Sequence, residues 1–218
     1  MKKKALIVWG GWEGHQPKET SEIFANVLKK LDFDVEVSTT LDSFADKEKL
    51  KDLNLIIPLW TMGEIKDEYV KNVMDAVESG VGLAGCHGGM CDAFRMNTNW
   101  QFLTGAQWVS HPGGIIPYKV NIIKTSSSPI VEGIDDFEVT SEQYYIHIDP
   151  AVNVLATTRF PTYDGPHAAN GEVDVPVVFT KRWGKGKIFY STLGHTIDVY
   201  EVYEVLKLME NGFVWASK

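Results

Sequence analysis

Val81-Gly82-Leu83-Ala84-Gly85-Cys86-His87-Gly88-Gly89 is the stretch that decides the fold. Val81 to Ala84 reads as a short apolar strand, and the glycines after it permit a sharp turn with close backbone approach. A strand that runs straight into such a turn is the elbow of a doubly wound α/β sheet, where chemistry collects beyond the carboxyl ends of the strands.

The segments upstream agree with this. Lys4 to Trp9 is a short, almost wholly apolar run, as expected of a parallel strand covered on both faces. Pro17 opens a helical pattern with Ile23, Phe24, Val27, Leu28 and Leu31 on one face. Phe33 to Ser38 alternates apolar and polar and reads as a strand nearer the sheet edge, and Leu53 to Leu59 reads as another buried strand. Ile65, Tyr69, Val73, Met74 and Val77 mark the next helix, which Gly80 closes. The alternation predicts a mostly parallel sheet with right-handed crossovers. Downstream, residues 106–149 are rich in β signals and read as an insertion on a single domain spanning 1–218. Val152 to Thr158, Val175 to Phe179 and Lys187 to Leu193 read as returning strands, and an amphipathic helix closes the chain from about Val199 to Trp215.

Composition narrows the function. The 218 residues are 44% hydrophobic and 23% charged, ordinary for one sizeable globular domain. A formal net charge of −8 opposes a phosphate-backbone partner, so no nucleic acid is expected. No apolar run approaches the ~20 residues of a membrane span, and the apolar start is shorter than the ~7 to 15 residues of a signal-peptide core. The two cysteines, Cys86 and Cys91, make neither a disulfide framework nor a four-ligand zinc knuckle. A cytoplasmic protein with reduced thiols is expected.

The elbow offers two candidates. Cys86 could be an activated nucleophile or a small buried hydrophobe, and no base stands next to it in the sequence. His87, on an exposed turn, suits a pocket role, with His87 or His195 the candidate to move protons or act as base, and Gly88 beside it suits substrate contact. His195 follows the last strong strand, with Asp198 either orienting it or capping the final helix. His15 lies in the glycine-rich loop after the first strand, a loop that lacks the spacing of a dinucleotide fingerprint, so no nucleotide cofactor is expected. His111 and His147 lie in the β-rich stretch, and His167 in a polar loop. Neutral imidazole is the commonest transition-metal ligand, which makes His15, His111 and His195 candidate ligands, with zinc the expected ion. Glu142 could serve as acid, base or ligand, and Trp12 and Tyr144 could stack on a sugar ring.

Taken in order, the segments resemble the ThuA-like (trehalose-utilisation) family, within the class I glutamine amidotransferase-like superfamily. The matching pieces begin with Gly10 to His15 and Gly85 to Gly89 with Asp92-Ala93-Phe94. They continue through Gly105 to Trp108 with His111-Pro112, Ser128-Pro129-Ile130, Glu142-Gln143-Tyr144 and Pro176-Val177-Val178, and end with Gly184 to Tyr190 and Leu193-Gly194-His195. The resemblance implies a flavodoxin-like fold and a link to bacterial carbohydrate metabolism. It implies a small-molecule ligand, a saccharide or keto-saccharide, that is hydrolysed or isomerised, and recurrent histidines at His15, His87, His111 and His195. The elbow also looks like the Ala-Ile-Cys-His-Gly-Pro turn of PfpI-type hydrolases, which would make Cys86 a nucleophile. However, the glutamine amidotransferase triad expects His-x-Glu after the last strand, and Ile197 stands two beyond His195. A non-catalytic sugar-binding module is the remaining alternative, and the apolar insertion offers a surface for a homo-oligomer.

Overall fold

The computed structural model describes residues 2–161 and 165–218. The described residues form eleven strands and six helices, and strand and helix alternate through the first half. β1 (Lys3–Gly11), α1 (Pro17–Lys30), β2 (Phe33–Ser38), α2 (Lys47–Lys51), β3 (Leu55–Thr61), α3 (Asp67–Ser79) and β4 (Gly82–Cys86) come first. The short α4 (His87–Cys91) and α5 (Thr98–Thr104) follow the elbow. Then come β5 (Ala106–Ser110), β6 (Ile115–Ile122), β7 (Phe137–Glu142), β8 (Tyr145–Ile148), β9 (Asn153–Phe160), β10 (Val173–Trp183), β11 (Gly186–Ser191) and α6 (Tyr203–Ala216).

Nine strands form one sheet in the order β2-β1-β3-β4-β11-β10-β9-β6-β7. The pairings from β2 through β11 are parallel, and those from β11 to β7 are antiparallel. The sheet is therefore mixed, with the doubly wound part confined to the half that carries the elbow. Its inner strands β1, β3 and β4 are mainly apolar because they face two cores. Ala5 and Ile7 of β1 point into one cluster with Phe24 and Leu28 of α1 and Phe213 of α6. Leu6 and Val8 point into the other, with Val70, Val73 and Val77 of α3. Alternate side chains of a strand serve opposite faces, so a strand covered on both sides cannot show a polar alternation. β2, at the free edge, keeps its exposed Asp34 and Glu36.

The stretch expected to be a β-rich insertion on the same domain is divided between two places. β6 and β7 form a hairpin that continues the main sheet, joined to β9 at Asn121 and Ile122. β5 and β8 pair in a separate two-stranded sheet. Phe137 and Val139 of β7 belong to the first core, whereas Tyr144 and Ile146 belong to the second. The link Glu142-Gln143-Tyr144 therefore crosses from one face to the other, and it does so beside the elbow.

Candidate active site

The strained residue of the elbow is His87. Cys86 ends β4 in extended conformation, whereas His87 has φ of +46°, a left-handed value that side chains rarely adopt. The turn is held by its surroundings. The Tyr190 hydroxyl donates to the His87 carbonyl at 2.9 Å, and the Trp100 indole N–H donates to the Met90 carbonyl at 2.9 Å. Gly88 is needed for space, because a Cβ there would lie 2.6 Å from the His15 ring.

Three loops and the crossing link bring four side chains together. His15 comes from the loop after β1, His87 from the elbow, His195 from the loop after β11 and Glu142 from the end of β7. One ligand atom from each can be chosen so that all lie within 4.8 Å of one another. Glu142 Oε2 is 3.1 Å from His87 Nε2, 3.2 Å from His195 Nδ1 and 3.7 Å from His15 Nε2. Bonds of ~2.0 to 2.1 Å in a tetrahedron put ligand atoms roughly 3.3 Å apart, so these spacings suit a small divalent ion.

The hydrogen bonds around the rings decide which atoms face inward. His87 Nδ1 lies 2.7 Å from the Thr192 carbonyl oxygen, which can only accept, so Nδ1 carries the proton. Burial pulls the His87 pKa down to about 4, leaving the ring neutral at pH 7 with a lone pair on Nε2. That lone pair faces Glu142. Burial by itself would raise the Glu142 pKa, but contacts with His15, His195 and His87 outweigh it and hold the carboxyl well below the usual carboxylate range. A proton or a metal ion between the Nε2 and the carboxylate oxygen, 3.1 Å apart, would satisfy both. His195 Nδ1 poses the same demand: it is buried and, among the described residues, makes no directed hydrogen bond despite its closeness to Glu142. His15 Nδ1 is tied to the Thr61 hydroxyl at 2.9 Å, which turns Nε2 toward the carboxylate. Carbonyl and hydroxyl partners of this kind are what fix ligating imidazoles. The donor set therefore fits zinc or a similar ion.

His111 stands apart from this set. Its Nε2 is 3.6 Å from Oε1, the other oxygen of Glu142, and its side chain remains 34% exposed. The structure thus groups His15 and His195 with His87 and Glu142, and leaves His111 on the outer side of the carboxylate. Tyr144 stacks on His87 with ring centroids 3.9 Å apart, and Trp12, 46% exposed, packs edge-on against His15 at 4.7 Å. Against His15 and His87 lies a cavity of about 10 Å³, also lined by Thr20, Thr61, Cys86 and Gly194, with room for about one water.

Cys86 lies below this group. It is buried, its thiol is 3.2 Å from the Tyr200 hydroxyl, and burial pushes its pKa up to about 12. At neutral pH such a thiol stays protonated. Cys91 is also free and buried. His147 is exposed on β8, His167 packs against Tyr145 away from the cluster, and Asp198 is exposed in the turn Ile197–Glu201. Thr61 and Thr192 carry no motif of their own. Their signal was positional, since each stands at the carboxyl end of a strand.

Fold and site together define an α/β domain with a histidine elbow and a buried three-histidine, one-glutamate cluster at the carboxyl edge of its sheet. The ThuA family model, described as trehalose utilisation, matches residues 4–216, and the chain belongs to that family. No curated protein matches the chain by sequence. Among solved structures, a protein described as ThuA-like from Bacteroides uniformis ATCC 8492 is 20% identical, with 98% of this chain and 91% of that chain covered and a TM-score of 0.76. Another from Parabacteroides merdae ATCC 43184 is 18% identical, with 99% and 90% covered and a TM-score of 0.75. A β-galactosidase from Bacillus circulans sp. alkalophilus is 12% identical over 98% of this chain but 30% of its own length, with a TM-score of 0.61. At these identities the likeness concerns the fold. No helix among the described residues is long and apolar enough to cross a membrane.

Proposed function

We propose that this protein is a divalent-metal-dependent enzyme that hydrolyses or isomerises a saccharide or keto-saccharide, with zinc held by His15, His87, His195 and Glu142. The observation that carries this reading is the convergence of His15, His87 and His195 on one oxygen of Glu142, with a ligand atom from each of the four within 4.8 Å of the others. When bound, the ion would polarise a carbonyl or hydroxyl oxygen of the sugar. The chain's own groups do the rest. Glu142 anchors the set through Oε2, and His111 at Oε1 is the half-exposed imidazole able to exchange a proton with a ligand. Trp12 offers an exposed apolar face for a sugar ring, and Tyr144 braces His87 from behind. The family's description, trehalose utilisation, supports a disaccharide as the substrate class. Both nitrogens of His87 are committed, so its role here is that of a ligand, and Cys86 takes no part in the chemistry.

The test is to purify the protein, measure bound metal by mass spectrometry, and assay disaccharides and their keto derivatives before and after chelation. Stoichiometric metal and turnover that is lost on chelation and restored by zinc are expected. Failure to bind any divalent ion, or turnover indifferent to chelation, sinks the proposal. Sugar binding without turnover of any saccharide would point to a non-catalytic module instead.

A further inference from the structure

Gln16 joins two loops that the sheet keeps apart. His15 follows β1 and His195 follows β11, and β3 and β4 lie between those strands. At ~4.8 Å per strand, their ends stand roughly 14 Å apart, so converging the two rings requires the loops to lean together. Their ring centroids are 5.2 Å apart. Directly between the loops, the Ile197 backbone N–H donates to the Gln16 side-chain Oε1 at 2.9 Å.

Both ends of this bond are prepared for it. Ile197 opens the 3-10 turn Ile197–Glu201, whose own cap residue, Thr196, makes no side-chain cap bond. A first-turn N–H needs an acceptor from elsewhere, and Gln16 supplies it. Gln16 itself has φ of +47° and ψ of +51°, its backbone N–H donates to the Glu13 carbonyl at 2.9 Å, and its carbonyl accepts from Thr20 at 3.0 Å. A left-handed residue that is not glycine is held against its preference by such neighbours. The side chain it projects lands on the segment that carries His195.

We infer that Gln16 is a positioning residue that sets the distance between His15 and His195, and with it the affinity of the site for its metal. The inference rests on the metal reading above. Gln16 touches neither ligand atom; it acts through the two loops.

The experiment compares Gln16→Leu, which keeps the volume but loses the acceptor, with Gln16→Glu, which keeps an acceptor oxygen. Zinc affinity is measured by chelator competition, with melting of the metal-free proteins and exchange of the Ile197 amide recorded alongside. Gln16→Leu is expected to weaken zinc binding about 10- to 100-fold, the usual cost of losing an outer-shell partner. Gln16→Glu should stay within about threefold of the parent, because it retains the acceptor. Melting of metal-free Gln16→Leu should stay close to the parent's, whereas its Ile197 amide should exchange faster. Parent-like zinc affinity in Gln16→Leu overturns the inference, as does equal weakening in both variants. Should the parent bind no zinc, the metal reading fails by itself. The tie between the loops is then judged from the Ile197 amide and the His15 and His195 ring signals, and unchanged values in Gln16→Leu dismiss it too.

Discussion

The Thr192 carbonyl accepts a hydrogen bond from His87 Nδ1 at 2.7 Å, so the end of the last parallel strand fixes the orientation of the elbow histidine. β11 pairs in parallel with β4, and Ser191 sits opposite Cys86, so the next residue on each strand is one of this pair. The bond is therefore a consequence of strand register. The same bond leaves Nε2 of the imidazole facing Glu142.

Glu142→Gln should abolish stoichiometric metal binding and lower turnover by at least about 100-fold, because it removes the charge on which the three imidazoles converge. Metal analysis and calorimetric titration of the folded variant check this. Retained zinc at parental affinity would assign the ion to another place.

Cys86→Ala should keep turnover within about threefold of the parent while lowering stability by about 1–3 kcal/mol, since a buried side chain is trimmed and the Tyr200 hydroxyl loses its neighbour. Urea unfolding and steady-state assays separate the two effects. The native protein should also resist iodoacetamide at pH 7, where a thiol with a pKa of about 12 is protonated. Loss of activity without loss of fold would restore Cys86 as a nucleophile.

For the metal-free protein, acid should destabilise the fold through His87. Its pKa falls from 6.5 to about 4 on folding, so the unfolded chain binds the extra proton first. The stability is complete above about pH 6.5 and is lost progressively as pH falls toward 4, by up to about 3 kcal/mol from this group. Glu142, held low in the fold, adds to the loss at the acid end of the same range. Denaturant unfolding at several pH values, for the parent and His87→Gln, checks the slope, which should be shallower in the variant.

Gly88→Ala should displace His15 and cost metal affinity, because its Cβ would lie 2.6 Å from the His15 ring and 2.9 Å from the Thr61 hydroxyl. Overpacking of this kind destabilises by roughly 1–3 kcal/mol. Zinc affinity and melting temperature should fall together.

Trp12→Ala should raise KM for a saccharide about tenfold, the equivalent of ~1.4 kcal/mol of stacking, with kcat and melting temperature near the parent's. The ring is largely exposed, so its removal leaves the core intact. A fall in kcat at unchanged KM would place Trp12 in support of His15 rather than under the sugar.

Much of the fold was legible because its signals are local. The apolar run of β1, the helical face of α1 and the turn after β4 each follow from neighbouring residues. The candidate site was legible only in part. His15, His87 and His195 stand out because each follows a strand that ends at the same edge of the sheet. Glu142 was a candidate without a fixed role, and His111 looked as good a ligand as His15 or His195. The orientation of the crossing link chose between them, presenting one carboxylate oxygen to three rings and the other to His111. Where the β-rich stretch would pair was not legible, for a related reason. Strand propensity marks a strand but does not say which sheet it joins, since that depends on partners far along the chain.

By itself, then, the sequence determined an α/β domain with a tight elbow at Gly85 to Gly89 and histidines at its strand ends, because turn sterics and apolar periodicity are properties of adjacent residues. The tertiary structure alone decided what the elbow presents. Packing buried the Cys86 thiol against Tyr200, bent His87 into a left-handed turn and brought Glu142 across from β7. Those are long-range contacts, and their chemistry depends on burial and on which lone pair faces which, quantities that exist only once the chain is folded.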